Sequence, residues 1–106
     1  MSALLVLTNL PDRPAAEKLA AALVGERLAA CVNILAPCRS VYRWNGAVQN
    51  EEEYPVLAKT TTERYAALEA AIRSNHPYEV PEIIALPIER GLAAYLAWVG
   101  EETSSV

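Results

Sequence analysis

The chain has 106 residues and a mass of 11.5 kDa, which predicts a single domain over residues 1–106. Hydrophobic residues make up 53% and charged residues 21%, a balance that argues against global disorder. The formal net charge is −4 and there is no basic stripe, so we expect no nucleic-acid partner. No apolar run approaches the ~18 residues of a membrane span, so we expect no membrane association.

The first third of the chain predicts a strand followed by a helix. Residues 3–9 are apolar and uncharged, as in a buried central strand, and no basic segment precedes them, as a signal peptide would require. Asp12 can cap a helix whose first turn accommodates Pro14, and we expect that helix over residues 14–27.

A second extended segment follows and contains both cysteines. Residues 29–41 favour a strand, in which Pro37 indicates an edge or a bulge. On one continuous strand, Cys31 and Cys38 would point to opposite faces because they are seven residues apart. We therefore expect free thiols, which suit a reducing cytoplasm.

A β-hairpin is predicted at Asn45 and Gly46, because both positions of its turn tolerate positive φ. The return strand covers residues 49–61. The glutamate run 51–53 is expected to lie on a solvated stretch, and the alternative is that it binds cations loosely. Pro55 indicates a bulge or an edge.

A second helix, a fourth strand and a third helix complete the chain. Thr60 and Glu63 fit a capping box, and the helix after them should end before Pro77. Residues 82–88 predict the fourth strand and residues 92–99 a short helix, with a frayed tail from residue 101.

The order β-α-β-β-α-β plus a C-terminal helix predicts an α+β fold of the ferredoxin-like, split βαβ type. Two helices should cover one face of the sheet. The strands are apolar at nearly every position, so we expect further copies of the chain to cover the other face.

A single histidine is the first candidate for chemistry. His76 precedes Glu79 and Glu82, and an imidazole with carboxylates can hold a divalent transition metal. The alternative is a histidine that hydrogen-bonds a nearby carbonyl or an interface group. Cys31 and Cys38 are similarly either soft ligands, redox thiols or small buried hydrophobic residues.

Three further side chains are candidates for a ligand cleft. Tyr42 and Trp44 share a strand face, where they either line a cleft or pack against core or subunit surfaces. Lys59 interrupts an apolar strand, so its charge requires either a carboxylate such as Glu53, Glu79 or Glu82, or an anionic ligand.

Several segments, in this order, closely resemble the CutA divalent-cation-tolerance proteins over residues 3–99. They are residues 29–34 (AACVNI), 40–46 (SVYRWNG), 59–60 (KT), 76–82 (HPYEVPE) and 95–98 (YLAW). The resemblance implies a homotrimer similar in architecture to the PII signalling proteins. It also implies a cytoplasmic role in tolerance of divalent metals, copper above all.

The same resemblance bears on the metal and on the cleft. Some family members are proposed to bind copper through a first-strand cysteine and adjacent histidines; here those positions are Thr8, Asn75 and His76, and only His76 matches. In trimers of this type the hairpin of one subunit extends its neighbour's sheet. The implied cleft between subunits has six candidate wall residues, which are Trp44, Glu53, Lys59, His76, Tyr78 and Glu82.

Three functions follow as hypotheses. The first is a homotrimer that meets copper or another divalent cation at these clefts through His76, Glu79 and Glu82. The second is a PII-like signalling or adaptor trimer, which binds an anionic metabolite or a protein through Lys59, Tyr42 and Trp44. The third, an enzyme, is not expected, because the sequence contains neither a recognisable catalytic set nor a phosphate-binding loop.

Overall fold

The computed structural model describes residues 2–104 and contains an antiparallel sheet with three helices. Its elements follow the predicted order, except that the second predicted strand is divided in two. They are β1 (Ala3–Leu10), α1 (Arg13–Gly25), β2 (Cys31–Ile34), β3 (Cys38–Trp44), β4 (Ala47–Thr61), α2 (Tyr65–Ser74), β5 (Ile83–Pro87) and α3 (Ala93–Glu102).

The strand order is β2-β4-β1-β5, and β3 pairs with β4 beyond β2. The first and last strands are therefore neighbours, and the long β4 joins them to the hairpin. This arrangement confirms the predicted α+β, ferredoxin-like fold.

One face of the sheet forms the core with α1 and α2. Alternate residues of β1 point to this face, and Val6 and Leu10 are buried there beside Val56 and Ala58 of β4. The helices contribute apolar residues at helical spacing, which are Ala16, Leu19, Leu23, Leu68 and Ile72.

The predicted start of α1 is confirmed. The Asp12 carboxylate accepts a hydrogen bond from the Ala15 N–H at 2.8 Å, and Pro14 lies in the first turn, where its missing N–H leaves no bond unmade. The tight turn at the hairpin tip is also as predicted, because Asn45 and Gly46 both have positive φ, 51° and 79°.

The predicted capping box of α2 is wrong. Thr60 is still part of β4, and its hydroxyl donates to the Leu28 carbonyl at 2.6 Å. Glu63 accepts instead from the Thr62 hydroxyl. Helix α2 begins at Tyr65, and the side chain of its N-cap residue, Arg64, forms no capping hydrogen bond. Thr60 belongs to β4 and not to the helix start, because the pairing of β4 with β1 continues to Thr61.

The division between β2 and β3 is a bulge, as Pro37 indicated. Cys31 lies opposite Lys59, whereas Cys38 lies opposite Glu53, so seven residues on one side face six on the other. The two cysteines therefore share a face, which corrects the expected opposite orientation. They are six β4 positions apart, about 20 Å along a strand, and both thiols are free.

Pro55 lies inside β4 without interrupting its pairing to β1, where it is opposite Asn9. Its carbonyl accepts from the Leu35 N–H, which places its missing donor on the side of the β2–β3 bulge. The bulge that Pro55 indicated thus belongs to the neighbouring chain segment, where regular pairing is already interrupted.

The second face of the sheet is covered only in part by α3. Tyr95 of α3 lies close to Cys31, and the adjoining Ala3 and Thr61 are buried. Farther along this face, apolar residues of the sheet remain partly or largely accessible: Leu5, Leu7, Leu57, Ile84 and Leu86.

The expected fraying from residue 101 is wrong for the described part of the tail. The Arg27 guanidinium donates to the carbonyls of Glu101 and Ser104 at 2.7 and 2.9 Å, and Thr103 is buried. The positively charged side chain of Arg27, which is distant in the sequence, thus stabilises the C-terminal end of α3. Ser105 and Val106 lie outside the described residues.

None of the helices within residues 2–104 combines the length and apolar character needed to span a membrane.

Candidate functional site

A cavity of about 730 Å³ lies between the β3–β4 hairpin and the loop that follows α2. We call it the cleft. Its walls come from the end of β1, from the hairpin and from the loop, and consist of Asn9, Ser40, Val41, Tyr42, Trp44, Glu51, Glu53, Tyr78, Glu79, Val80, Pro81 and Glu82.

The β3–β4 hairpin forms the first wall of the cleft, and its strand register places the wall's side chains next to one another. Ser40 is opposite Glu51, and Tyr42 is opposite Gln49. Because directly opposite residues of an antiparallel pair share a face, the aromatic residues of β3 and the odd-numbered glutamates of β4 lie on the same side. The Asn45–Gly46 turn sets this register.

The loop after α2 forms the second wall of the cleft, and His76 holds this loop against β1. Its Nε2 lies 2.6 Å from the Asn9 carbonyl oxygen, and its Nδ1 accepts the Tyr78 N–H at 3.2 Å. A carbonyl only accepts, so Nε2 is the donor in the first bond, and Nδ1 is the acceptor in the second. The ring is 9% exposed, and it supports the loop with both nitrogens engaged by main-chain groups.

Tyr78 joins the two walls. Its hydroxyl donates to Glu53 Oε2 at 3.1 Å, and its ring lies 4.7 Å from the His76 ring. Burial, followed by the bond to Glu53, raises the pKa of the Tyr78 phenol. The phenol therefore remains a hydrogen-bond donor at physiological pH.

Two more carboxylates are oriented by neutral donors. The Tyr42 hydroxyl donates to Glu51, and this hydrogen bond is the main reason that the pKa of Tyr42 rises to about 12. The Asn9 amide donates to Glu82 Oε1 at 2.7 Å. The cleft thus presents fixed carboxylates without a cationic side chain among the described residues that line it.

The expected solvated position of the 51–53 run is wrong for Glu53. Glu51 and Glu52 are exposed, but Glu53 is only 7% exposed. The loop after α2 covers Glu53 because the Tyr78 hydroxyl binds it. A run of charged residues does not predict that a segment far away in the sequence will bury one of them.

Six of the predicted site residues line the cleft, namely Tyr42, Trp44, Glu53, Tyr78, Glu79 and Glu82. His76 lies behind the cleft wall. Its metal-binding role stays a prediction, because binding through either nitrogen requires the release of a main-chain partner. Within residues 2–104, no three His, Cys, Asp or Glu side chains are grouped closely enough to hold one metal ion.

Lys59 lies outside the cleft of the single chain. Its ammonium contacts the Asn33 side chain and lies 3.9 Å from Cys31 Sγ, on the sheet face that α3 partly covers. Of the two alternatives for Lys59, pairing with a carboxylate such as Glu53 is not observed, because Glu53 is six β4 positions and about 20 Å of strand away. A role for Lys59 at a subunit boundary stays a prediction.

Asn9 is a cleft residue that the sequence did not single out as a site residue, and Glu51 was considered only as part of the 51–53 run. Asn9 is the one amide in an otherwise apolar strand segment, a signal that could have identified it. Glu51 carried no separate signal, because it belongs to a run of three identical residues.

The sheet order and the cleft together define a ferredoxin-like α+β protein with an acidic, aromatic site at one end of its sheet. Over residues 4–102 the sequence matches the family described as CutA1 divalent ion tolerance protein. The chain belongs to this family, as its motifs predicted.

Relatives agree with this placement. The chain is 48% identical over 98 residues to the divalent-cation tolerance protein CutA of Thermus thermophilus, covering 92% of this chain and 95% of that protein. It is 44% identical over 96 residues to human Protein CutA, of which it spans 54%, with 91% of this chain covered. The solved structure of the Thermus thermophilus protein superimposes with a TM-score of 0.94 at 46% identity, covering 96% of this chain and 99% of that chain.

Proposed function

We propose that this protein acts in divalent metal tolerance as a cytoplasmic homotrimer, similar to PII proteins, that binds a divalent cation such as copper at clefts where subunits meet. The observation that carries the proposal is the charge of the cleft. Four carboxylates line it, those of Glu51, Glu53, Glu79 and Glu82, and no described lining residue is basic. A cation entering the cleft would therefore be attracted from several directions.

The half-covered sheet face supports assembly. Leu5 and Leu86 are cross-strand neighbours on this face, and Leu86 is 53% exposed. Burying such a face against other copies is favourable by roughly 25 cal/mol per Å² of apolar area. The hairpin adds a free edge, since β3 pairs only with β4 among the described residues.

Replacing Leu86 with glutamate is expected to convert a trimer into single chains. The leucine is half-exposed in the single chain, so its fold tolerates the charge, whereas a trimer would bury three like charges near one another. Light scattering at micromolar concentration should report three times the 11.5 kDa chain mass for the unmodified protein and one chain mass for the variant.

The matched control is Val24→Glu, which places the same charge on the exposed side of α1. It should remain trimeric. A folded, monomeric unmodified protein would overturn the proposed assembly.

The cation site is tested at Glu82. Glutamine keeps the oxygen that accepts from Asn9 but removes the charge, so the affinity for Cu²⁺ or Zn²⁺ should fall about tenfold in isothermal titration. Glu89→Gln removes an equal charge from a residue that does not line the cleft, and should bind like the unmodified protein. Equal affinities for the two variants would remove Glu82 from the site.

The alternative anion-binding, adaptor role finds less support. Tyr42 and Trp44 line the cleft, but Lys59, its proposed counter-charge, contacts Asn33 and Cys31 instead. An anion in the cleft would meet carboxylates, so the charge distribution favours the cation.

A further inference from the structure

Aromatic rings make up much of the cleft that the carboxylates do not occupy. Tyr42, Trp44 and Tyr78 all line it, and Trp44 keeps 43% of its surface exposed despite its size. The face of an aromatic ring attracts a cation, most strongly when the ring is tryptophan. Rings and carboxylates in one cavity are complementary to a ligand with a positive head and an apolar body.

The carboxylates are spread along the walls instead of converging on one point. Glu53 is held by Tyr78, Glu51 by Tyr42 and Glu82 by Asn9. Each donor is neutral and occupies only part of the acceptor capacity of its carboxylate. Glu53 is the most buried of the four, and its Oε1 forms no hydrogen bond within residues 2–104.

The size of the cleft fits the same ligand. A volume of about 730 Å³ is that of a small-molecule site, far larger than one metal ion requires. The described His, Cys, Asp and Glu side chains form no group of three that could enclose an ion. The charge of the cleft is thus arranged over the dimensions of an organic molecule.

We propose that the cleft binds a small organic cation, an ammonium group on an apolar body, with Trp44 and Tyr42 against the body and Glu53 facing the charge. This inference rests on the proposed function only in taking the cleft as the ligand site. It adds an alkylammonium compound to the divalent cation as a ligand of the same cleft.

Trp44 provides the measurement. The chain has two tryptophans, and Trp98 lies on α3 beside Tyr95, away from the cleft, so Trp98→Phe leaves Trp44 as the only indole. The probes are choline, its uncharged isostere 3,3-dimethylbutan-1-ol, and n-butylammonium, which represents a lysine side chain. Both cations should change Trp44 fluorescence saturably, and the isostere should bind at least about tenfold more weakly.

The variants separate the site from general charge. In this background Glu53→Gln should weaken choline binding about tenfold, while it retains an oxygen for the Tyr78 hydroxyl. Glu52→Gln is the control, because the adjacent Glu52 is exposed and lies opposite Arg39 on the other face of the hairpin. If Glu53→Gln unfolds the loop, Glu82→Gln tests the same charge at an exposed position.

The outcomes also distinguish this inference from the proposed function. Saturable choline binding that Glu53→Gln weakens supports the inference, whether or not Zn²⁺ competes for the cleft. A preference for n-butylammonium over choline also supports it and indicates a lysine side chain or a free primary amine. Zn²⁺ uptake without choline or n-butylammonium binding, or equal binding of choline and its isostere, overturns the inference and leaves the metal function intact.

Discussion

Replacing His76 with alanine is expected to lower the free energy of unfolding by about 2–4 kcal/mol. The substitution leaves two main-chain groups without partners, the Asn9 carbonyl and the Tyr78 N–H, in a place that is largely closed to water. It also removes a ring that packs against Tyr78. Urea unfolding at a fixed chain concentration measures the change.

Asn75→Ala is the matched control. Asn75 is the neighbouring residue and also forms a side-chain bond to main chain, to the Ala71 carbonyl at 2.8 Å, but it is exposed and water can replace that bond. Its loss should change the free energy of unfolding by less than about 1 kcal/mol. If both variants lose equally little, His76 does not hold the loop in solution.

Cation binding by His76→Ala and His76→Gln distinguishes a supporting role of His76 from a metal-ligating role. A supporting histidine predicts weaker binding of Zn²⁺ or choline in His76→Ala because the cleft loosens. His76→Gln offers an amide that can donate to the Asn9 carbonyl, so it should recover part of that loss. A metal-ligating histidine predicts that Zn²⁺ binding stays weak in His76→Gln while choline binding recovers.

Replacing Thr8 with valine is expected to raise the free energy of unfolding by about 1–2 kcal/mol. Thr8 is 1% exposed on the core-facing side of β1, between Val56 and Ile83, and its hydroxyl finds no hydrogen-bond partner within residues 2–104. Valine has nearly the same shape and removes the unpaired hydroxyl. Thermal and urea unfolding at one chain concentration should both show the gain.

Thr60→Val controls for this change of residue type. Thr60 is equally buried on the same face of the sheet, but its hydroxyl donates to the Leu28 carbonyl. Valine there should lower the free energy of unfolding by about 1 kcal/mol, so the two substitutions have opposite signs. A loss at Thr8 similar to that at Thr60 would show that the Thr8 hydroxyl is satisfied in solution.

Helix α1 and the β3–β4 hairpin could be predicted from the sequence because local interactions determine them. The Asp12 cap and Pro14 identify the start of α1 because the contacts that matter lie within one turn of helix. The hairpin follows from Asn45 and Gly46, because positive φ is a property of those two residues. The helical spacing of Leu19 and Leu23 likewise placed the buried stripe of α1.

The sequence predicted which residues belong to the candidate site better than it predicted how they are arranged. Spacing and charge along the chain led to five of the six predicted cleft residues, and the family resemblance added Tyr78. Asn9 was missed, since its two partners, His76 and Glu82, lie 67 and 73 residues away along the chain.

The sequence by itself thus determined the order of helices and strands, apart from the division of β2 from β3, together with the helix-facing core and the family. Local spacing and short motifs carry this information. Only the tertiary structure decided that Glu53 is buried, that Thr60 serves β4 instead of capping α2, and that Lys59 contacts Asn33. Each of these outcomes depends on which distant segment covers the residue. Strand register was likewise decided only by the tertiary structure, since a single extra residue at the β2–β3 bulge shifts it by one position and places the two cysteines on the same face.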